Sequence, residues 1–302
     1  MHYDEPLVQL DGNRLYVRDY GGTEPTIVLM HGFPDNLHLH DRIVPHLIPS
    51  RRVVTFDFLG WGASDKPAAY RHTAMNQSLQ VDAVIEQLEL EDAVLVAHDA
   101  SGPPAIDWAL AHPERIAGLV LLNTYYQWTP RLRRPQAIAL YSTPIVRNVA
   151  RGLARRFDKL DRNLYFWQVG RFIRDQDVRD ALVPQLYAQF RRARPAFWAL
   201  NNDLLGTALS RRKMMPQMRA FERPVRIIFG DADPYLNKSV AKRFHELFSG
   251  SELFLLAGAR HYVQVDEPEK VASLILSMPL ASGSYERRGV PAHHGYISER
   301  GE

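Results

Sequence analysis

Short apolar runs alternate with longer amphipathic segments along most of this chain. The runs cover residues 26–30, 53–56, 94–97, 119–122, 225–229 and 252–256, each four or five residues long and rich in Val, Ile and Leu. Such runs are what strands buried on both faces look like. Between them, segments such as 77–88, 102–112 and 239–248 space their apolar residues at helical intervals. Strand and helix in alternation predict an α/β fold with a mostly parallel, doubly wound sheet. Ahead of it, 6–10 and 14–20, joined at Asp11-Gly12-Asn13, read as a β-hairpin.

The alternation stops between residues 129 and 218, where Arg-rich helical stretches follow one another without a strand. An all-helical insertion between two sheet strands reads as a cap over the strands' carboxyl ends, where open α/β sheets bind ligands. The predicted organisation is a core of 1–128 and 219–280, a helical cap of 129–218 and a polar, Gly- and Pro-containing tail, 281–302, expected to be disordered. In that tail His293-His294 is read as incidental rather than as a metal site.

Composition narrows the chemistry. With 302 residues, 46% of them hydrophobic, the chain can bury a full core. It has no cysteine, which excludes disulfides, thiolate metal sites and a cysteine nucleophile. No apolar run reaches the roughly 18 residues of a membrane span. The start, Met1-His2-Tyr3-Asp4-Glu5, has no signal-peptide pattern, so a cytoplasmic protein is expected. The net charge of +3 hides an asymmetry: residues 129–213 hold 18 Lys and Arg against 6 Asp and Glu, a balance of +12. This basic stretch could steer an anionic substrate or meet acidic lipid headgroups at a membrane surface, but a solvated helical surface is the plainest reading. Nucleic-acid binding would need interleaved aromatics and a recognition module, and neither is found.

After the run at 94–97 comes Ala97-His98-Asp99-Ala100-Ser101-Gly102. A nucleophile elbow needs small residues two before and two after its apex, because the strand-to-helix turn is sharp and strained. Centred on Asp99, those positions hold Ala97 and Ser101; centred on Ser101, they hold Asp99 and Pro103, which are not small. Asp99 is therefore the better apex, although an aspartate here could also serve as a simple helix N-cap.

Three further motifs fall at predicted strand ends: His31-Gly32-Phe33-Pro34, Gly230-Asp231-Ala232-Asp233 and Gly258-Ala259-Arg260-His261. Together with the elbow and Asp57-Phe58-Leu59-Gly60-Trp61-Gly62, in this order, they resemble the α/β-hydrolase superfamily over roughly residues 6 to 280. The likeness is to its branch of epoxide hydrolases and haloalkane dehalogenases. It implies Asp99 as nucleophile, His261 as base and Asp233 as the acid that orients the base. It also implies an oxyanion hole formed by the backbone N–H groups of Phe33 and Ala100, with His31 and His98 in supporting places. Asp231 competes with Asp233 for the acid, and Asn123 stands where some dehalogenases carry theirs.

An aspartate that attacks an alkyl carbon makes an ordinary ester, which a water activated by the histidine then hydrolyses. The scheme calls for no cofactor and no metal. Its partner is a small apolar molecule, an epoxide or a halide, and the sequence carries no signal of oligomeric state. A departing halide needs N–H donors, and the dehalogenases place a Trp after the nucleophile where this chain has Ala100. An opening epoxide needs an acid, usually cap tyrosines, and the His-Gly-Phe-Pro turn is the epoxide-hydrolase form. Tyr165 is the expected proton donor among Tyr141, Tyr165 and Tyr187, with Tyr125 and Tyr126 at the cap's entrance, while Trp167 and Trp198 are the candidates for holding a halide. An epoxide hydrolase is the leading expectation. A haloalkane dehalogenase, a serine-type esterase using Ser101 and a non-catalytic binding protein are the alternatives.

Overall fold

A computed structural model describes residues 1–281 of the chain, apart from Arg131 and Asp203. The tail and its His293-His294 pair lie outside the described residues, save Ala281. The strands are β1 (Val8–Leu10), β2 (Asn13–Asp19), β3 (Thr26–Met30), β4 (Val53–Asp57), β5 (Ala93–Asp99), β6 (Ile116–Thr124), β7 (Val225–Gly230) and β8 (Ser251–Leu256). They form one sheet in the order β1-β2-β4-β3-β5-β6-β7-β8. The hairpin strands pair antiparallel, β2 joins β4 antiparallel, and the rest of the sheet is parallel.

Period-two alternation splits the strands' side chains between two cores. Val28, Met30, Leu95 and Ala97 point to one face with Leu119, Leu121, Ile227 and Phe229. Ile27, Leu29, Val94 and Val96 point to the other with Val120, Leu122 and Ile228. Both faces are covered by helices, which is why β3, β4, β6 and β7 are buried along their whole length. Strand β8 departs from the expectation of a fully buried run. It is the sheet edge, and its middle residues are part-exposed or exposed.

The helices are α1 (Val44–Leu47), α2 (Ala74–Gln87), α3 (Gly102–Ala111), α4 (Gln136–Ser142), α5 (Val146–Arg156), α6 (Asp158–Gly170), α7 (Gln176–Asn202), α8 (Leu204–Ser210), α9 (Met215–Arg219), α10 (Lys238–Leu247), α11 (Val263–Asp266) and α12 (Pro268–Leu276). Helices α4 to α9 follow one another between β6 and β7 with no strand among the described residues there. Most of the described basic residues of this stretch are exposed, as a solvated helical surface requires, but some pair with acids. Arg194 pairs with Asp158 and Asp161, and Arg211 ties α8's end to Asp107 of α3. The Arg194 pairs lie within the insertion, and of these pairs the part-buried Arg211–Asp107 pair is the one that fastens it to the core.

Candidate active site

Strand β5 ends at Asp99, whose φ of 48° is the left-handed conformation of an elbow apex. The close quarters explain the small residues around it. A Cβ on Gly32 would lie 2.5 Å from the Asp99 Cβ, and one on Gly102 would run into Thr124 and the Tyr125 carbonyl. The Thr124 hydroxyl donates to the Asp99 carbonyl, which ties the apex to β6.

The side chain of Asp99 faces two groups. Its Oδ2 accepts from the Phe33 N–H at 3.2 Å, and the Ala100 N–H also stabilises the carboxylate. Its Oδ1 lies 3.8 Å from His261 Nε2. The other ring nitrogen, Nδ1, stands 2.7 Å from Asp233 Oδ2. Asp233 is held in turn by the N–H groups of Tyr235 (2.8 Å) and Leu236 (3.2 Å) and by Asn123 Nδ2 (2.9 Å). The five residues expected to act together, Asp99, Asp233, His261, Phe33 and Ala100, are thus brought to one place. They come from the carboxyl ends of β3, β5, β7 and β8.

Electrostatics follow from burial and pairing. Burial pushes the Asp99 carboxyl up, with His261 and the two N–H donors pulling the other way. Burial also opposes ionisation of Asp233, but His261 and the hydrogen bonds overcome it and hold the carboxyl below its ordinary value. For His261, burial favours the neutral ring, yet Asp233, Asp99 and Asp35 outweigh it and raise the ring to about 9.

The competing candidates separate cleanly. Asp231 is exposed and accepts from the Gly258 N–H, so it shapes a turn. Asn123 braces Asp233 from behind, with its Oδ1 accepting from the Gly230 N–H at 2.8 Å. His31 donates through Nδ1 to the Gly32 carbonyl and accepts the Phe58 N–H at Nε2, while burial lowers its pKa. His98 is buried, donates to the His261 carbonyl at 3.0 Å and packs beside that ring. Ser101 is fully buried, and its Oγ donates to the Met30 and His98 carbonyls and accepts the His98 N–H. Its one proton is shared between those two carbonyls, so it braces the elbow instead of facing the cavity. Ser101→Ala is expected to keep full kcat and to cost about 1–2 kcal/mol of stability, read from denaturant unfolding.

A cavity of about 610 Å³ lies between the sheet end and the insertion, lined by Asp99, His261 and Phe33 and by mostly apolar side chains. Tyr165 lines it with a buried hydroxyl that has no hydrogen-bond partner among the described residues. Tyr125, on the core side, lines it too, and burial and the charge of Asp99 push its phenol up. Tyr141 also lines the cavity, but its hydroxyl donates to Asp161, and the Tyr187 hydroxyl accepts from Arg194. Neither predicted halide-binding tryptophan is in place. Trp167 is exposed beside Arg171, and Trp198 is buried outside the cavity lining, against Tyr141 and under Arg151 and Arg155. Helical phase decides this for Trp167, which sits on the face of α6 turned away from the cavity. Of the five tryptophans, Trp128 is the one that lines it.

Sequence reading missed one carboxyl. Asp35, directly after the His-Gly-Phe-Pro turn, is buried, accepts from the Tyr262 hydroxyl at Oδ1 and has no partner at Oδ2. Burial, with Asp99 adding to it, pushes this group up to about 7. Its place next to the turn is a signal; its burial is not readable from the sequence.

The sequence pattern of the α/β-hydrolase fold matches residues 25–268, more than two thirds of the chain. The chain belongs to the α/β-hydrolase fold family. It is an enzyme of the hydrolase type. A haloalkane dehalogenase of Mesorhizobium japonicum is 24% identical over 275 residues, covering 89% of this chain and 88% of its own. The haloalkane dehalogenase DatA of Agrobacterium tumefaciens C58 superposes with a TM-score of 0.76 at 20% identity, over 90% of this chain and 94% of its own. The esterase EaEST of Exiguobacterium antarcticum superposes at 0.70 and 20% identity, over 91% and 98%. Dehalogenase and esterase share this fold, so the fold does not choose the reaction; the site must.

Proposed function

We propose that this α/β-hydrolase opens epoxides, with Asp99 forming an ester to the substrate carbon and water then releasing a diol. The observation that carries the reading is Asp99 at a strained elbow apex, facing the His261–Asp233 pair, while the neighbouring Ser101 is locked in backbone hydrogen bonds. In the first step an Asp99 oxygen attacks the less hindered epoxide carbon, the C–O bond breaks, and the Tyr165 hydroxyl protonates the departing oxygen. Solvent returns the proton to Tyr165. In the second step His261 takes a proton from water, and the hydroxide attacks the Asp99 carboxyl carbon. The resulting oxyanion sits against the Phe33 and Ala100 N–H groups, each worth about 3 kcal/mol in the transition state. Collapse frees the diol, which takes the His261 proton, and the Asp99 carboxyl gives its own proton to solvent, balancing the one returned to Tyr165.

Tyr165 supports an epoxide over a halide, because a buried phenol without a partner in an apolar cavity is an acid awaiting an acceptor. Haloalkane dehalogenation is the second reading. It shares the first step and draws support from the dehalogenase relatives and from Trp128, an indole at the cavity wall.

A terminal alkyl epoxide and the matching bromoalkane decide between them. Diol formation is expected without bromide release, and Tyr165→Phe should lower diol formation about 100-fold. An equal loss in Tyr125→Phe, with Tyr165→Phe active, would move the donor to the core. Bromide as the main product would overturn the epoxide reading.

A further inference from the structure

Helix α5 is built inside out. The face it turns to the protein carries Ala150 and Ala154, both buried, with Arg147 and Arg151 beside them. Arg147 lines the cavity, and Arg151 donates to the Trp198 carbonyl and to Asn202 Oδ1, both at 2.8 Å. The face it turns to solvent carries Val146, Val149 and Leu153, with Val149 62% exposed. Ile145 before the helix is 81% exposed, and Phe157 and Leu160 after it are 52% and 55% exposed. A helix covering a soluble core has the opposite arrangement. An outward stripe of six large apolar side chains marks a surface that something covers.

Charge says what covers it. Arg155, Arg156, Lys159 and Arg162 are exposed around the stripe. The two acids in the same stretch are already engaged, Asp158 with Arg191 and Arg194, and Asp161, buried, with Arg194. A second copy docked on a two-fold axis would set these four cations against themselves. Among the described residues no helix is long and apolar enough to cross a membrane, so a lipid contact here runs along the surface.

We propose that α5 and the first turn of α6 dock peripherally on an anionic lipid bilayer, the apolar stripe entering the acyl boundary and the four cations meeting headgroup phosphates. The docked face borders the cavity, since Thr143, Pro144 and Arg147 line it. An apolar substrate dissolved in the bilayer thus has a short path to Asp99. The docking does not depend on which leaving group the site handles.

Vesicle sedimentation tests this. The wild-type protein is expected to bind vesicles of phosphatidylcholine with phosphatidylglycerol at least about tenfold more tightly than phosphatidylcholine alone, with the difference shrinking as salt rises. Val149→Glu with Leu153→Glu should lower that binding about tenfold or more, with thermal unfolding and turnover of a water-soluble substrate unchanged. Arg156→Glu with Lys159→Glu leaves the stripe intact and should remove the preference for anionic vesicles, so the proposal stays testable if the first variant fails to fold. Equal or absent binding to both vesicle types overturns it. So does a wild-type dimer in light scattering that Val149→Glu with Leu153→Glu turns into monomers.

Discussion

Asp99→Asn is expected to lower turnover on the order of 10⁴-fold or more while leaving the protein folded and more stable than the wild type. The amide keeps the shape of the apex and, like aspartate, tolerates the left-handed backbone at φ 48°. What it lacks is the carboxylate proposed to attack the substrate. The stability gain has a separate cause, since burial raises the Asp99 pKa and the folded chain therefore holds this anion at a cost. A carboxyl whose folded pKa is raised destabilises the fold above that pKa and costs nothing below the unfolded value of about 4. The rise in Tm should accordingly be largest at neutral pH and vanish near pH 4. Single-turnover hydrolysis by the wild type in ¹⁸O-labelled water gives the chemical check. Label should enter the Asp99 carboxyl first and reach product only in later turnovers. Label in the first product molecules would mean direct attack by water and would sink the ester mechanism.

His261→Gln should do something different: stop the reaction halfway. Asp99 still attacks, so one equivalent of substrate is expected to be taken up per protein. Ester hydrolysis should slow about 10³-fold, within the usual worth of a general base. Intact-protein mass spectrometry would then show an adduct with the mass of the substrate, and peptide mapping would place it on Asp99. An inactive variant without adduct would make His261 necessary for the first step as well. In the wild type, esterification removes the negative charge of Asp99, one of the groups that raise His261 to about 9 in the free protein. The ring's pKa therefore falls in the intermediate, and ester hydrolysis should rise with pH and level off below pH 9. Stability runs the other way. A histidine with a raised folded pKa contributes fully below its ordinary value near 6.5 and loses that contribution as pH climbs through about 9. That loss, followed as Tm against pH, should disappear in His261→Gln.

Much of this was legible along the chain because it is local. The run at 26–30 is β3 residue for residue, and the elbow motif identified its own apex. Small residues at 97 and 101 and Gly at 102 leave only one side chain able to stand out from so tight a turn. The order elbow, Asp233, His261 was also readable, since each ends a strand and parallel strands share one carboxyl edge. The insertion was less legible. Tyr165, Trp167 and Trp198 looked alike as candidates, yet only Tyr165 reaches the cavity. A difference of two residues on α6 turns a side chain by about 200° around the helix axis, which carries Trp167 to the outside.

The amino-acid sequence by itself determined the sheet, the elbow, the chain order of Asp99, Asp233 and His261 and the basic insertion, because these rest on periodicity, turn chemistry and chain order. Tertiary structure alone decided what shares a volume. It put Asn123 behind Asp233, buried Asp35 beside the pair, closed Ser101 into backbone hydrogen bonds and left the Tyr165 hydroxyl without a partner. It also turned Arg147 and Arg151 of α5 inward and the helix's valines outward. A sequence shows that a helix has two faces. Which face meets the protein depends on neighbours that are distant in the chain, and packing against them is what settles it.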